Sequence, residues 1–278
     1  MILVTGATGN VGRHVVGGLL GAGRPVRALT RDPGRAGLPA GAEVLRGDLS
    51  EPETLPPALE GAEAVFLFAV PGTASAFLDA ALKADVGRIV LLSSLAVDDA
   101  AEVQPNAIGA YHADIEDAIE ASGLEWTFVR PGAFATNSFQ WRPQIEAGDV
   151  VRLPYPEAVS APIHEADIAA VAVQALTSEG HAGARHLLTG PESLTNGDQV
   201  RVLGEAIGRP LRAEEIPVDV ARQAMLRHVP EQIVDTMLHL QAASVGRPAL
   251  VTDTVEKVTG RPARTYAQWA ADHASDFR

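Results

Sequence analysis

The 278-residue sequence predicts an α/β protein, a doubly wound parallel sheet with a smaller C-terminal lobe. Three observations predict it. Short, nearly continuous apolar runs alternate with helical runs through the first half, the pattern of parallel strands covered on both faces. The first apolar run passes directly into "TGATGNVGR", where Gly6, Gly9 and Gly12 are spaced at threes. Beyond about residue 135 the alternation loosens, and Pro143, Pro154, Pro156 and Pro162 exclude a long helix there.

Residues 2–5 read as the first strand, a short apolar run bounded by glycine. After Asn10, the residues Val11, Val15, Val16, Leu19 and Leu20 recur at helical spacing, so a helix is expected over 11–22. "PVRALTR" (25–31) is the second strand, and "AEVLRGD" (42–48) a short third one. A helix over about 52–60 leads to "AEAVFLFAV" (62–70), a buried strand that stops at Pro71. An amphipathic helix (73–85), a buried strand "GRIVLLSS" (87–94), a helix (106–121) and the strand "LEWTFVRPG" (124–132) continue the rhythm. Later come a helical run at 164–178, a strand "ARHLLTG", helical stretches at 197–208 and 218–244, and an amphipathic helix in "TYAQWAADHASDF" at the end. The boundaries expected are a main α/β domain over 1–135 and a smaller lobe over 136–278, with about 150–190 returning to the main sheet. There are no internal repeats or low-complexity segments.

Ligands of such sheets lie at the carboxyl ends of the strands. Those ends are Gly6, Arg31, Asp48, Ala69–Pro71, Ser93–Ser94 and Arg130–Pro131. At the first of them, glycine permits a tight turn and a close approach of backbone to ligand. The opening N–H groups of the helix lack partners within it, and its dipole favours an anion. Together these make a phosphate cradle. The spacing is not the common G-x-G-x-x-G, and glycines so placed also fit a strand-to-helix turn with no ligand.

Composition narrows the function. A hydrophobic fraction of 46% supports a packed core, and a net charge of −13 argues against nucleic-acid binding, which depends on cationic contacts with phosphates. The sequence contains no cysteine, which excludes disulfides and thiolate chemistry. No apolar stretch approaches the roughly 20 residues of a membrane helix, and no signal peptide is evident at the start. A cytoplasmic protein without a membrane partner is expected. Residues 1–46 run against the overall charge: Arg13, Arg24, Arg27, Arg31, Arg35 and Arg46 face only Asp32 and Glu43. This suits either a solvated face or a positive field around a polyanion.

With the strand ends in place, the chain resembles the NmrA-like group of atypical short-chain dehydrogenases. The likeness rests on "VTGATGNVGR", "ALTRDP", "GDL", "HADIEDAIEASGLEWTFVRPGAFATN", "HEADIAAVA" and "GRPARTYAQWAADHASDF", in that order along nearly the whole chain. It implies a Rossmann-like fold with a small substrate lobe. It also implies an NADPH-dependent reductase of quinone-like or other conjugated planar acceptors, or else an NADP(H)-binding redox sensor without turnover. The expected cofactor contacts are Gly6, Ala7, Thr8, Gly9, Asn10 and Val11 in the first turn, with Arg31, Asp48, Leu49, Ala69, Val70 and Ser93 at later strand ends. Asp48 and Ser93 also read as plain turn residues. Phe134, Asn137 and Trp141, after the "RPG" turn, are where the family closes its substrate pocket, or else lobe packing.

The Tyr-x-x-x-Lys proton relay of the catalytic short-chain dehydrogenases is missing, because Ile115 stands four residues after Tyr111. This opposes a sugar-nucleotide epimerase and leaves the catalytic residues unassigned. The candidates are Tyr111, His112 and Glu116, the last two an i,i+4 pair on one helix face that reads equally as a pocket wall or a surface ion pair. His181, His186 and His273 fall in surface segments and suggest no metal site, and Asp167 reads as a charge favourable to a helix dipole. NADPH is expected over NADH. NAD-selective folds end the second strand in an acid that holds the ribose hydroxyls, whereas this strand ends in Thr30 and Arg31. Arg31 is placed to meet a 2′-phosphate, with Arg13 and Arg35 near and Asp32 turned away into "DPG". The partner is a small-molecule acceptor, and the oligomeric state is left open.

Overall fold

The computed structural model describes residues 1–68 and 70–277. In chain order come β1 (Ile2–Val4), α1 (Asn10–Gly21), β2 (Val26–Thr30), β3 (Glu43–Arg46), α2 (Leu55–Leu59), β4 (Ala64–Phe68), α3 (Ala74–Lys83), β5 (Arg88–Leu92), α4 (Ala107–Ala121) and β6 (Glu125–Pro131). They are followed by α5 (Arg142–Ala147), β7 (Val150–Leu153), β8 (Val159–Ser160), α6 (Glu165–Thr177), β9 (Ala184–Leu188), β10 (Leu194–Thr195) and α7 (Asn196–Ile207). The rest comprises β11 (Arg212–Glu215), α8 (Val218–Met225), α9 (Glu231–Ser244), α10 (Thr254–Thr259) and α11 (Tyr266–Asp272).

Seven strands form one parallel sheet in the order β3-β2-β1-β4-β5-β6-β9. The order reverses between β1 and β4, and the crevice beyond their carboxyl ends is where such sheets hold ligands. Register places Leu3 beside Arg27 on one side and Val65 on the other. Successive strand residues face opposite layers. Ile2, Val4 and Phe66 pack under Val15 and Leu19 of α1 and Ile168 and Ala172 of α6. Leu3, Val65, Leu67 and Ile89 pack under Leu55, Phe77 and Ile119 of the opposite layer. Burying each such side chain is worth about 1.5–3 kcal/mol relative to exposure, which is why the strands read as continuous apolar runs.

The lobe has its own core, with Trp141, Ile145, Val151, Leu203, Tyr266, Trp269 and Phe277 packed together. Two small sheets lie outside the main one, β7 parallel to β11 and β8 antiparallel to β10. The stretch expected as one helix over 218–244 is two. Pro230 stands at the N-cap of α9, where its missing N–H and fixed φ start a helix rather than continue one. The closing helix is also shorter than expected: α11 ends at Asp272 and a 3₁₀ turn, Ala274–Phe277, follows. The strands β7, β8, β10 and β11 and the helices α5 and α10 are short elements among prolines and glycines that periodicity does not reveal.

Candidate active site

The turn after β1 is built from close backbone contacts. Gly6 has φ +57°, a left-handed conformation, and a Cβ there would lie 2.9 Å from Cβ of Phe68. A Cβ on Gly12 would lie 2.1 Å from the Gly6 carbonyl oxygen, so the first turn of α1 rests directly on the loop. Gly9 is the N-cap of α1 with no side-chain cap, and the first turn carries no acidic residue. The opening N–H groups and the positive end of the helix dipole are therefore left for an anion. This fits a dinucleotide pyrophosphate, since the absence of side chains at Gly9 and Gly12 keeps the helix start against the loop with its N–H groups uncapped.

From this turn a cavity of about 600 Å³ runs along the carboxyl ends of β2, β3, β4 and β5 to Phe134. It brings together Gly6, Thr8, Gly9, Asn10, Val11, Arg31, Asp48, Leu49, Val70 and Phe134. Four expected residues lie elsewhere. Ala7 is fully buried in the core beneath the turn. Ser93 is buried, and its hydroxyl donates to Oε1 of Glu116. Trp141 belongs to the lobe core, so its packing reading prevails, and Asn137 is exposed away from the cavity. Ala69 lies outside the described residues. Thr30, Phe68 and Leu92 also line the cavity. Phe68 reads in sequence as one more interior strand residue, yet it is 46% exposed at the strand end.

Most of the N-terminal positive charge has a structural use. Arg24 pairs with Glu63 at 2.7 Å, Arg27 with Glu43 at 3.0 Å and Arg46 with Glu51 at 3.4 Å. Arg13 donates from Nη2 to the Thr8 carbonyl at 2.9 Å, which ties it to the turn. Arg31 and Arg35 make no ion pair among the described residues, and Arg31 alone of the six lines the cavity. Asp32 is exposed and does not line it. Asp48 is a turn former, its Oδ1 accepting the Ser50 N–H at 2.9 Å, and it also lines the cavity.

The helix α4 requires a correction. Glu116 is not half of a surface pair with His112. It is buried, and Arg130 of β6 donates to it from Nε at 2.9 Å and again from Nη2. Arg130 also grips Asp99 with two bonds of 2.8 Å. Burial works against the Arg130 charge, but hydrogen bonds to Glu116 and Asp99 outweigh it and hold the guanidinium firmly protonated. The hydrogen bond from Arg130 in turn holds the Asp99 carboxyl below the usual range. His112 lies 2.8 Å through Nδ1 from the Ile108 carbonyl, and burial lowers its pKa. Burial also raises the Tyr111 hydroxyl to about 12, the opposite of activation, and Ile115 is a core residue. None of Tyr111, His112 and Glu116 lines the cavity.

Two further readings change. Asp167 does more than favour a helix dipole: it is buried and accepts from both the backbone N–H and the guanidinium of Arg264. His273 is not isolated on the surface, since its Nε2 lies 2.7 Å from Oε1 of Glu165.

Residues 6–179 match the model of a protein family described as NAD(P)H-binding. Over its whole length the chain is similar to (4-alkanoyl-5-oxo-2,5-dihydrofuran-3-yl)methyl phosphate reductase of Streptomyces griseus, at 41% identity and 99% of that protein covered. It is likewise similar to NAD(P)H azoreductase of Xenophilus azovorans, at 40% identity with 100% and 99% covered. Among solved structures, the NADPH complex of an NADPH-dependent quinone oxidoreductase of Escherichia coli superposes with a TM-score of 0.81 at 24% identity, covering 98% of this chain and 99% of that one. At that identity the likeness is one of fold. No helix among the described residues is long and apolar enough to cross a membrane.

Proposed function

The chain belongs to the NAD(P)H-binding family, within its NmrA-like group of atypical short-chain dehydrogenases, and from that membership we propose that it reduces quinone-like or other conjugated planar acceptors with NADPH. One observation carries the reading. The cavity joins a phosphate cradle to an apolar end of Phe68, Val70, Leu92 and Phe134, and Arg31 and Asp48 are the only ionisable side chains among its described lining residues. Both stand at the ends of β2 and β3, away from that apolar end. An acceptor there has no side-chain acid beside it.

Conjugated acceptors suit such a site. A bound NADPH supplies a hydride, and the electron pair the acceptor gains is delocalised onto an oxygen or nitrogen that water can protonate. The chain's part is to hold the reacting atoms about 3–3.5 Å apart and in line. Gly6, Gly9 and Gly12 let the backbone approach the pyrophosphate, and Arg31 is assigned the 2′-phosphate. Phe134 and Phe68 offer flat apolar faces to a planar ring. The curated relatives fit the same chemistry, since their names specify reduction of an unsaturated lactone phosphate and of azo compounds. The proposal carries a cytoplasmic enzyme acting on a small molecule, with residues 1–135 as its dinucleotide domain and 136–278 as a lobe whose middle returns to the sheet.

The test is stopped-flow absorbance of enzyme-bound NADPH mixed with a naphthoquinone, an azo dye and a conjugated butenolide. Oxidation of one NADPH per acceptor reduced is expected for at least one of them. Tight NADPH binding with no oxidation across the panel would instead identify a redox sensor.

A further inference from the structure

His164 and Glu165 at the start of α6 and His273 near the chain's end bring three ligand atoms within 4.8 Å of one another. None of these residues lines the nucleotide cavity. Glu165 is 2% exposed, and its Oε2 has no hydrogen-bond partner. Buried carboxylate oxygens are ordinarily satisfied, so the orphan requires an explanation.

The two rings supply one. His273 lies 2.8 Å through Nδ1 from Oδ2 of Asp276 and 2.7 Å through Nε2 from Oε1 of Glu165. A neutral imidazole has a single N–H. Once that N–H is given to Asp276, the lone pair on Nε2 faces a carboxylate oxygen, acceptor against acceptor. His164 repeats the arrangement. Its Nε2 lies 3.3 Å from Oδ2 of Asp272, while Nδ1, which accepts the Ala166 N–H at 3.1 Å, lies 3.3 Å from Oε2 of Glu165. His14 of α1 adds a third imidazole, with Nε2 4.0 Å from Oε1 of Glu165.

Lone pairs converging on a carboxylate call for a cation between them. A ring whose outer N–H is held by a carboxylate and whose inner nitrogen faces the centre has the orientation of a metal-bound histidine. We propose that His164, His273 and Glu165, with His14 closing the set, bind one divalent transition-metal ion of the Zn²⁺ class, and that Asp272 and Asp276 orient the rings. Imidazole and carboxylate donors suit that class. Zn–ligand bonds of about 2.0–2.2 Å in a tetrahedron set donors roughly 3.3–3.6 Å apart, so donors at the 4.8 Å limit draw in by up to about 1.5 Å. His164 gives up its bond to the Ala166 N–H on binding. The ion staples the start of α6 and the flank of α1 to the last residues of the lobe.

The experiment is isothermal titration of Zn²⁺ into the full-length, chelator-treated protein, with Co²⁺ replacing Zn²⁺ for absorption spectra. Saturable binding of one ion per chain and the visible bands of tetrahedral Co²⁺ are expected. Glu165→Gln and His273→Ala abolish both. Asp276→Asn, at a half-exposed site where folding is not at stake, weakens binding about 10–100-fold while NADPH affinity stays as in the wild type. No saturable binding, or equal binding by wild type and Asp276→Asn, overturns the proposal and leaves protons as the cations that hold the cluster.

Discussion

Arg130 donates from Nε to Oε1 of Glu116 at 2.9 Å, joining β6 to α4 through two side chains that are both buried. Glu116 stands on α4, the helix where the resemblance places the Tyr-x-x-x-Lys relay that this chain lacks. The Glu116 carboxylate is fully occupied, since it accepts from Arg130 and from the Ser93 hydroxyl.

Removing one partner of a buried ion pair typically costs about 3–5 kcal/mol. Asp99 stays on Arg130 after Glu116→Ala, so a loss near the lower end, about 3 kcal/mol, is expected from urea unfolding. Asp99→Asn, at a carboxylate 60% exposed, should cost well under half as much. A Glu116→Ala protein as stable as wild type would show that the pair contributes nothing.

Tyr111→Phe should change kcat by less than about tenfold, because loss of a true general acid costs about 10²–10⁴-fold. Burial lifts the hydroxyl to about 12, and no lysine lies beside it to bring it down. Steady-state kinetics with a quinone and NADPH measures this. A hundredfold loss with an unchanged circular dichroism spectrum would return Tyr111 to the mechanism.

Arg31 is expected to set the cofactor preference. A hydrogen bond to a charged group is worth about 1.5–3 kcal/mol, and about 1.4 kcal/mol is a factor of ten. Wild type should therefore bind NADPH at least about tenfold tighter than NADH, and Arg31→Ala should lose most of that margin. Equal affinities in the wild type, by fluorescence titration, would move the 2′-phosphate elsewhere.

Gly12→Ala tests the cradle. Its Cβ would meet the Gly6 carbonyl oxygen at 2.1 Å and Cα of Ala7 at 2.9 Å, and backbone cannot rotate out of the way as a side chain can. Overpacking costs about 1–3 kcal/mol, and the upper end is expected in thermal unfolding, together with loss of NADPH binding. Gly17→Ala in the same helix is the control, since nothing lies within 4 Å of a Cβ there. Comparable behaviour of the two variants would mean that the loop is free to yield.

His181 Nδ1 lies 3.1 Å from His186 Nε2, an N–H facing a lone pair that survives only while at least one ring is neutral. Burial lowers both pKa values from the ordinary 6.5. The unfolded chain then binds protons more readily than the native one, so their contribution is complete above that value and declines as pH falls below it. His186→Gln should flatten the drop in urea midpoint between neutral pH and about pH 5.5. An unchanged drop would assign the acid sensitivity to other groups.

Legibility in the sequence follows the range of the interactions. The alternation of β1, α1 and β2, the glycines at 6, 9 and 12 and the strand-end places of Arg31 and Asp48 are local facts. Hydrophobic period and turn chemistry act within a few residues, so these features could be read along the chain. The same local rules ran several strands a residue or two long at both ends, as with 25–31 against Val26–Thr30 and 87–94 against Arg88–Leu92, and missed the elements that lie between prolines. Tertiary structure alone decided what each polar side chain meets. An i,i+4 pair on a helix looks the same whether its face is wet or buried, and only the packing of α4 against the sheet turned Glu116 inward to Arg130. Phe68 reaches the cavity at the end of β4, two residues beyond the last pairing of β4 with β1 and opposite Gly6. Glu165 and His273, 108 residues apart, meet because the lobe folds back onto α6, and no periodicity in the sequence records where a distant segment returns.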